Sequence, residues 1–224
     1  MIPLRDDNPV YATPVVTWAL AASCVLVFLW QISLGEAGFN RVVFTLGVIP
    51  AVLLGHAQLP PEVAVVPPSV TMLTSMFLHG GWLHLAGNML YLWIFGDNIE
   101  DRMGRLRFLL FYVVCGLAAV LAQALPEPQG RTPMIGASGA ISGVLGAYLL
   151  LFPRARVLVL VPLGFILKAI RLPAVWVLGL WFFVQLVSSL MAPAGEGGVA
   201  FRAHLGGFVV GLVFAPLFLA GRRR

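Results

Sequence analysis

Long, nearly continuous runs of apolar residues set the strongest limit on what this chain can fold into. Of its 224 residues, 60% are hydrophobic and only 10% are charged, and the mean hydropathy is +0.95. A helical crossing of a bilayer needs about 20 predominantly apolar residues. The runs are continuous rather than alternating, which favours helices over a membrane β-barrel. We therefore predict an all-α membrane protein, with residues 1–224 forming a single domain built as one helical bundle.

Six of the apolar runs are long enough to be predicted as membrane spans. They cover residues 14–34, 82–101, 106–124, 138–152, 173–191 and 199–220. The fourth is short and rich in glycine, which favours a central position buried in protein over one that faces lipid. Two further runs, 42–54 and 157–170, are shorter and each contains Gly and Pro, so we expect interfacial or re-entrant segments there.

The net charge of +5 does not require a nucleic-acid partner, because membrane proteins collect Arg and Lys in their cytoplasmic loops. Eleven of the fourteen Lys and Arg residues fall on one side of the six predicted spans. The positive-inside rule then places both termini in the cytoplasm. We expect a multi-pass protein of a cell membrane, with the lipid bilayer as its environment and no nucleic acid as a partner.

Four polar residues from three predicted spans lie at a similar depth in the outer half of the membrane. Ser138 begins the fourth span, and His204 lies ~7.5 Å below the start of the sixth at the helical rise of about 1.5 Å per residue. His84 and Asn88 lie near the outer end of the second span, spaced so that they share one helix face. Ionisable groups are costly in hydrocarbon and therefore point to function.

These residue types suit nucleophilic catalysis. A serine beside a histidine base can attack a carbonyl carbon. At a helix N-terminus, free backbone N–H groups would face the oxyanion formed on Ser138, and Asn88 and His84 could add side-chain donors. Gly136 and Gly139 allow the tight turn that such a loop needs. The sequence thus predicts an active site built around Ser138.

Glycine pairs predict that the fourth and sixth spans touch. The pairs are Gly139 with Gly143 and Gly207 with Gly211, and both have the small-xxx-small spacing that lets membrane helices approach closely. This contact would bring Ser138 within reach of His204. The nearest carboxylate on the second span lies ~13.5 Å further toward the cytoplasm than Asn88. We therefore predict a Ser–His dyad whose histidine is oriented by packing, with no metal and no cofactor.

Each of these residues also has a structural reading. A serine among glycines in a membrane helix is usually a packing residue, and a membrane histidine more often bonds a neighbouring helix. His84 and His204 could instead form a proton or solute relay in a small transporter. A non-catalytic binder of membrane helices is a third possibility. His79 would lie at the interface or cap the second span.

The joint pattern resembles the rhomboid family of intramembrane serine proteases, most strongly between Thr71 and Gly211. The matching pieces are HGGWLHLAGN (residues 79–88), EDR (100–102), GASG (136–139), and Ala203-His204 with Gly207 and Gly211. The resemblance implies a six-helix bundle that cleaves transmembrane segments of other membrane proteins. It also implies that residues 36–75 form a partly membrane-embedded first outer loop.

The resemblance assigns a role to each matched residue. Ser138 would be the nucleophile and His204 its general base, while His84, Asn88 and the Ser138 backbone N–H would form the oxyanion hole. Glu100 and Arg102 would stabilise the cytoplasmic end. The six-span form favours a bacterial plasma membrane, with the active site toward the outer face.

One position differs from the family pattern. Many members carry an aromatic residue one turn after the nucleophile, stacked on the base histidine, and this chain has Ser142 there. Either His204 is held less firmly than usual, or another side chain takes over that role.

Overall fold

The computed structural model describes residues 1–164, 166–191 and 199–220. Within these residues the chain forms nine α-helices and three β-strands. The helices are α1 (Val15–Ser33), α2 (Gly35–Leu46), α3 (Pro50–Leu53), α4 (Pro68–Thr74), α5 (Trp82–Met103), α6 (Arg105–Ala124), α7 (Ser138–Leu151), α8 (Ala174–Met191) and α9 (Phe201–Leu219). The strands are β1 (Ile2–Asp6), β2 (Arg156–Leu163) and β3 (Ile166–Pro173).

The six predicted spans correspond to α1, α5, α6, α7, α8 and α9, with ends that agree to within a few residues. Among the described residues, four helices are long and apolar enough to cross a membrane, namely α1, α6, α8 and α9. Helix α7 is apolar but has only 14 residues. Helix α5 carries charged residues in its last two turns. The prediction of a mostly helical bundle is confirmed, and the number of crossings stays a prediction.

Helix α7 is the centre of the bundle. Every residue from 139 to 148 is buried, and the helix packs against α5, α6, α8 and α9. Its position confirms the prediction that the short, glycine-rich fourth run lies inside the protein.

The contact between α7 and α9 is made by backbone against backbone. A Cβ added to Gly207 would lie 2.0 Å from the carbonyl oxygen of Gly139, and one added to Gly211 would lie 2.0 Å from that of Gly143. No side chain fits at such distances, so glycine is required at both positions. The predicted pairing of the two glycine pairs is confirmed, and it lets dispersion forces act along the whole interface.

The description of the protein as all-α is wrong in one respect. Strands β1, β2 and β3 form an antiparallel sheet in that order, and the run 157–170 lies in the β2–β3 hairpin. Its place relative to the bilayer stays a prediction. Val157 and Val159 are buried while Leu158 and Leu160 are less so. Valine is β-branched and favours strands. The sequence does not show the alternation of burial, because the residues on both faces of the strand are apolar.

The run 42–54 is interrupted where its Gly and Pro predict a break. Helix α2 ends at Leu46, Gly47 is extended, and α3 begins at Pro50. Between them, Val48 pairs with Met134 through two backbone hydrogen bonds of 3.0 and 2.7 Å. The first long connection is thereby joined to the loop that leads into α7.

The end of α5 is tied to the start of α1 by Glu100. Its carboxylate accepts hydrogen bonds from the backbone N–H of Val16 at 2.9 Å, the N–H of Thr17 at 2.7 Å and the Thr17 hydroxyl at 2.8 Å. A carboxylate at this place satisfies donors that a helix N-terminus leaves free and suits its dipole. The Arg102 guanidinium lies over the Phe152 ring, 5.7 Å from its centroid.

Strand β1 is joined to the bundle through Asp6. Its carboxylate accepts a short hydrogen bond from the Tyr148 hydroxyl, in α7, and a second one from Asn98 in α5, at 3.2 Å. Burial, opposed by the Tyr148 bond and assisted by the charge of Asp97, raises the pKa of Asp6 from 3.8 to about 6. The amino-terminal strand therefore adds a titratable group to the same end of the bundle.

We predict that Gly207→Ala disrupts the α7–α9 contact. The new methyl group would overlap the Gly139 carbonyl oxygen, and overpacking of this kind costs about 1–3 kcal/mol. Thermal unfolding of the purified protein in detergent measures the effect. The matched control is Gly179→Ala in α8, where an added Cβ meets no atom within 4 Å. Equal melting temperatures for the two variants would contradict the close contact.

We predict that Asp6 makes stability fall as the pH rises from about 4 toward 6. The folded-state pKa of Asp6 lies above the ordinary value of 3.8, so the folded chain holds this proton more tightly than the unfolded chain. The resulting stabilisation is complete below the ordinary pKa and is lost as the pH passes through the raised one. Asp6→Asn removes the titration, so the wild type should lose stability relative to this variant over that range. If the melting temperatures of the wild type and Asp6→Asn changed equally with pH over this range, the prediction would be contradicted.

Candidate active site

The predicted contact between Ser138 and His204 is present. Ser138 is the first residue of α7, and His204 lies in the first turn of α9. The Ser138 hydroxyl oxygen Oγ lies 2.8 Å from Nε2 of His204, which is hydrogen-bond distance. Because α7 and α9 touch along their glycines just beyond this point, the two side chains are held together by the helix packing itself.

Two side chains of α8 contact the His204 ring. The second ring nitrogen, Nδ1, lies 2.7 Å from the side-chain oxygen Oε1 of Gln185. The Trp181 ring lies beside the imidazole, with 5.9 Å between centroids and 37° between planes. Trp181 therefore supplies an aromatic ring beside the histidine, although residue 142 is not aromatic. Ser142 instead donates its hydroxyl hydrogen to the Ser138 carbonyl oxygen at 2.6 Å.

The loop before Ser138 is fixed by backbone hydrogen bonds. In addition to the pairing of Met134 with Val48, the N–H of Gly136 donates to the carbonyl oxygen of Ser75 at 2.8 Å. Gly136 has a φ of +122°, which side chains of L-residues strongly disfavour. A Cβ at this position would lie 2.7 Å from Nε2 of His84. Only glycine fits here, as the sequence pattern predicted for a tight turn.

His84 presents a donor to the site. The backbone N–H of Gly80 donates to Nδ1 of His84 at 3.2 Å, so this nitrogen acts as an acceptor. A neutral imidazole then carries its proton on the other nitrogen. That nitrogen, Nε2, faces the Gly136 backbone, and its N–H is therefore directed at the loop that leads into Ser138.

Asn88 lies one turn along α5 from His84 and is buried. Its amide nitrogen Nδ2 has no hydrogen-bond partner among the described residues. A buried donor without a partner is costly and rare in native structures, and it is often explained by a catalytic or ligand-binding role. A Cβ on Gly136 would lie 3.7 Å from this nitrogen, so Asn88 and His84 point at the same place.

His79 does not cap α5, which was one structural reading of the sequence, because the N-cap residue is Gly81 and no side chain bonds there. Its side chain is completely buried, and its ring lies 5.1 Å from that of His84. Nδ1 lies 3.2 Å from the carbonyl oxygen of Phe77, while the Gln31 side-chain oxygen accepts from its backbone N–H at 3.0 Å. Burial, followed by the charge of His84, lowers the pKa of His79 to about 4, which keeps its ring neutral.

A cavity of about 670 Å³ opens above these groups. Ser138, His204, His84 and Asn88 all line it, so every side chain predicted for the site faces one open space. Its mouth is flanked by Glu127, which forms an ion pair with Arg202. The cavity is large enough for an extended segment of several residues rather than a single small ion.

The described part of the chain contains no cluster of three or more His, Cys, Asp or Glu residues that could hold a metal ion. Cys24 and Cys115 are buried free thiols away from the site. Arg222 to Arg224, which were counted among the eleven Lys and Arg residues on one side of the spans, lie outside the described residues.

Comparison with protein families agrees with this geometry. The family model described as Rhomboid domain matches residues 68–221, which is more than half of the chain and includes every residue of the site. The chain belongs to the rhomboid family. Together with the apolar helices, this membership makes it a multi-pass membrane protein.

Similar proteins occur in plants, fungi and bacteria. RHOMBOID-like protein 5 of Arabidopsis thaliana is 41% identical over 78 residues, 35% of this chain and 25% of that protein. Rhomboid protein 1, mitochondrial, of Saccharomyces cerevisiae is 30% identical over 158 residues, 66% of this chain and 42% of that protein. Rhomboid protease GluP of Bacillus subtilis is 45% identical over 78 residues, 35% of this chain and 15% of that protein. The matched segments cover less than half of each of these three relatives.

We predict that Gly136→Ala damages the site while leaving the bundle folded. The methyl group would be strained at this φ and would press on His84 Nε2. Loss of one oxyanion donor lowers turnover by about 10²–10³-fold in serine proteases, and we expect a loss of that size in the reactivity of Ser138 toward a fluorophosphonate. The control is Gly81→Ala, since a Cβ there meets no atom within 4 Å. Equal reactivity of the two variants would show that Gly136 has no special role.

Proposed function

We propose that this protein is an intramembrane serine endopeptidase that uses a Ser–His dyad. The observation that carries the proposal is the 2.8 Å contact between the Ser138 hydroxyl and His204 Nε2, at the floor of an open cavity. Nucleophilic catalysis requires a hydroxyl beside a base that can take its proton. A proton or solute relay would not require a serine at a glycine-lined helix start.

Acylation follows from the positions of these two groups. Ser138 Oγ attacks the carbonyl carbon of the scissile peptide bond, and its proton passes to His204 Nε2. When the tetrahedral intermediate collapses, the C–N bond breaks and the same proton passes to the leaving amine. Water then enters from the cavity, His204 Nε2 takes a proton from it, and the water oxygen attacks the ester carbon. When this second intermediate collapses, the bond to Ser138 Oγ breaks and the proton passes from His204 to Ser138 Oγ.

The negative charge of the tetrahedral intermediate would be stabilised by donors that are already in place. These are the backbone N–H of Ser138, the unpaired Asn88 amide and the Nε2–H of His84. Donors that are fixed before the reaction need no reorganisation when charge develops. Stabilisation of this kind is usually the largest single contribution to catalysis. Burying Asn88 Nδ2 without a hydrogen-bond partner costs free energy in the resting protein. A hydrogen bond from this nitrogen to the oxyanion would offset that cost in the transition state.

The substrates of this proposal are transmembrane segments of other membrane proteins. A peptide carbonyl inside a helix is hydrogen-bonded and crowded, so the substrate must unwind locally before Ser138 can reach it. Gly or Pro near the cut bond lowers that cost, since they are disfavoured in a helix relative to Ala by about 1 and 3 kcal/mol.

We further propose six membrane crossings, formed by α1, α5, α6, α7, α8 and α9, with both termini in the cytoplasm and residues 36–75 forming a partly embedded outer loop. The asymmetry of Lys and Arg supports this orientation. It places Ser138 toward the outer face of a bacterial plasma membrane. The single domain would then extend over residues 1–224.

The test of the proposal is cleavage of a single-pass membrane substrate by the purified protein. Ser138→Ala should abolish cleavage, because removal of the nucleophile of a serine protease costs on the order of 10⁶-fold in turnover. It should leave the melting temperature nearly unchanged, since only one oxygen atom is lost. Ser142→Ala, one turn further along the same helix, should retain cleavage. Normal cleavage by Ser138→Ala would overturn the proposal.

A further inference from the structure

Among the described residues, Gln185 is the polar side chain that bonds the base histidine on the ring nitrogen facing away from Ser138. It lies in α8, a helix that does not contribute to the Ser138–His204 pair. Its Oε1 is 2.7 Å from His204 Nδ1, on the opposite edge of the ring from Ser138. The histidine thus has a polar partner on each of its two nitrogens.

We propose that Gln185 is a positioning residue that fixes the proton of His204 on Nδ1, and that it does the work done elsewhere by the aspartate of a catalytic triad. This inference rests on the proposed function. A carbonyl oxygen can only accept a hydrogen bond, so the ring nitrogen facing it must carry the proton. Nε2 is then the free base that faces the Ser138 hydroxyl.

The identity of the residue suits its surroundings. A charged carboxylate in the outer half of a membrane would have to be desolvated, which is expensive for an ionised group. An amide supplies the same acceptor without charge. The side-chain oxygen of Gln185 therefore selects the productive tautomer at a small desolvation cost, while Trp181, one turn earlier in α8, lies beside the ring.

Both side chains that orient the histidine thus come from α8, so the active arrangement depends on α8 lying against α9. The histidine tautomer strongly affects turnover in serine proteases. Replacing the acceptor of a catalytic triad by a donor lowers turnover about 10⁴-fold. Simple removal of the acceptor leaves both tautomers accessible. We expect the loss of an outer orienting partner to cost roughly 10- to 100-fold.

The test compares Gln185→Leu, which removes the acceptor, with Gln185→Glu, which keeps an oxygen in the same place. Gln185→Leu should lower kcat by roughly 10- to 100-fold with KM nearly unchanged. Gln185→Glu should recover most of that loss. The matched control is Val184→Ala, a neighbouring residue of α8 whose side chain is exposed, and it should retain wild-type kcat.

A second readout does not depend on turnover. Nitrogen-15 spectra of histidine-labelled protein in micelles, at about pH 8 where histidine is neutral, report which ring nitrogen carries the proton. The His204 signals are identified by their loss in His204→Ala. We expect the Nδ1–H form in the wild type and a large share of the Nε2–H form in Gln185→Leu.

Wild-type kcat in Gln185→Leu, or an unchanged His204 tautomer, would overturn the inference while leaving the proposed function intact. Equal loss of kcat in Gln185→Leu and Gln185→Glu would also overturn it, provided that thermal unfolding shows both variants to be folded. Cleavage that persists in Ser138→Ala would overturn both the role of Gln185 and the proposed function.

Discussion

The close approach of α7 and α9 is the contact on which the rest of the structure depends. Lipid tails are as apolar as leucine side chains, so membrane helices gain little from hydrophobic burial against one another and rely on packing and hydrogen bonds. Here the two backbones meet at Gly207 against Gly139 and at Gly211 against Gly143. Because Ser138 and His204 lie immediately before these contacts on their own helices, the same packing that holds the bundle together also sets the 2.8 Å distance between them.

A second set of contacts fixes the groups around that pair. Backbone hydrogen bonds from Val48 to Met134 and from Gly136 to Ser75 hold the loop that precedes α7. The positive φ of Gly136, which glycine adopts readily, then brings the loop backbone against His84 and Asn88. Polar atoms that are costly to bury are thus concentrated at one place, which agrees with the general association between unpaired donors and active sites.

Much of this arrangement could be predicted from the sequence, because the relevant signals are local or periodic. Runs of about 20 apolar residues mark membrane helices, and the four-residue glycine spacing marks the α7–α9 contact. The contact between Ser138 and His204 was predicted from this glycine spacing together with the positions of the two residues near the starts of their spans, and it is present. The family resemblance added roles to these residues, and membership of the rhomboid family is confirmed.

Other features carry no such signal. Strand β1 pairs with β2 across more than 150 residues of sequence, and no local pattern indicates such a distant partner. The run 157–170 is apolar throughout, so periodicity alone cannot distinguish a strand from a buried helix there. The partner of His204 was missed because Gln185 lies on another helix and looks like an isolated polar residue. A glutamine inside a mostly apolar predicted span was the clue available.

The buried state of His79 could not be read from its sequence either. It precedes α5 and looks like a loop residue, yet its side chain is buried and the Gln31 side chain of α1 bonds its backbone. Such burial depends on how distant elements meet, and single-sequence patterns do not encode it.

The central claim is that the packing of α7 on α9 creates one activated serine. The most direct measurement is labelling of the folded protein with a fluorophosphonate, followed by mass-spectrometric mapping of the modified peptide. The account predicts a single adduct on Ser138, and no adduct when His204 is replaced by alanine in a protein that remains folded. An adduct on another serine, or equal labelling of Ser138 without His204, would contradict it.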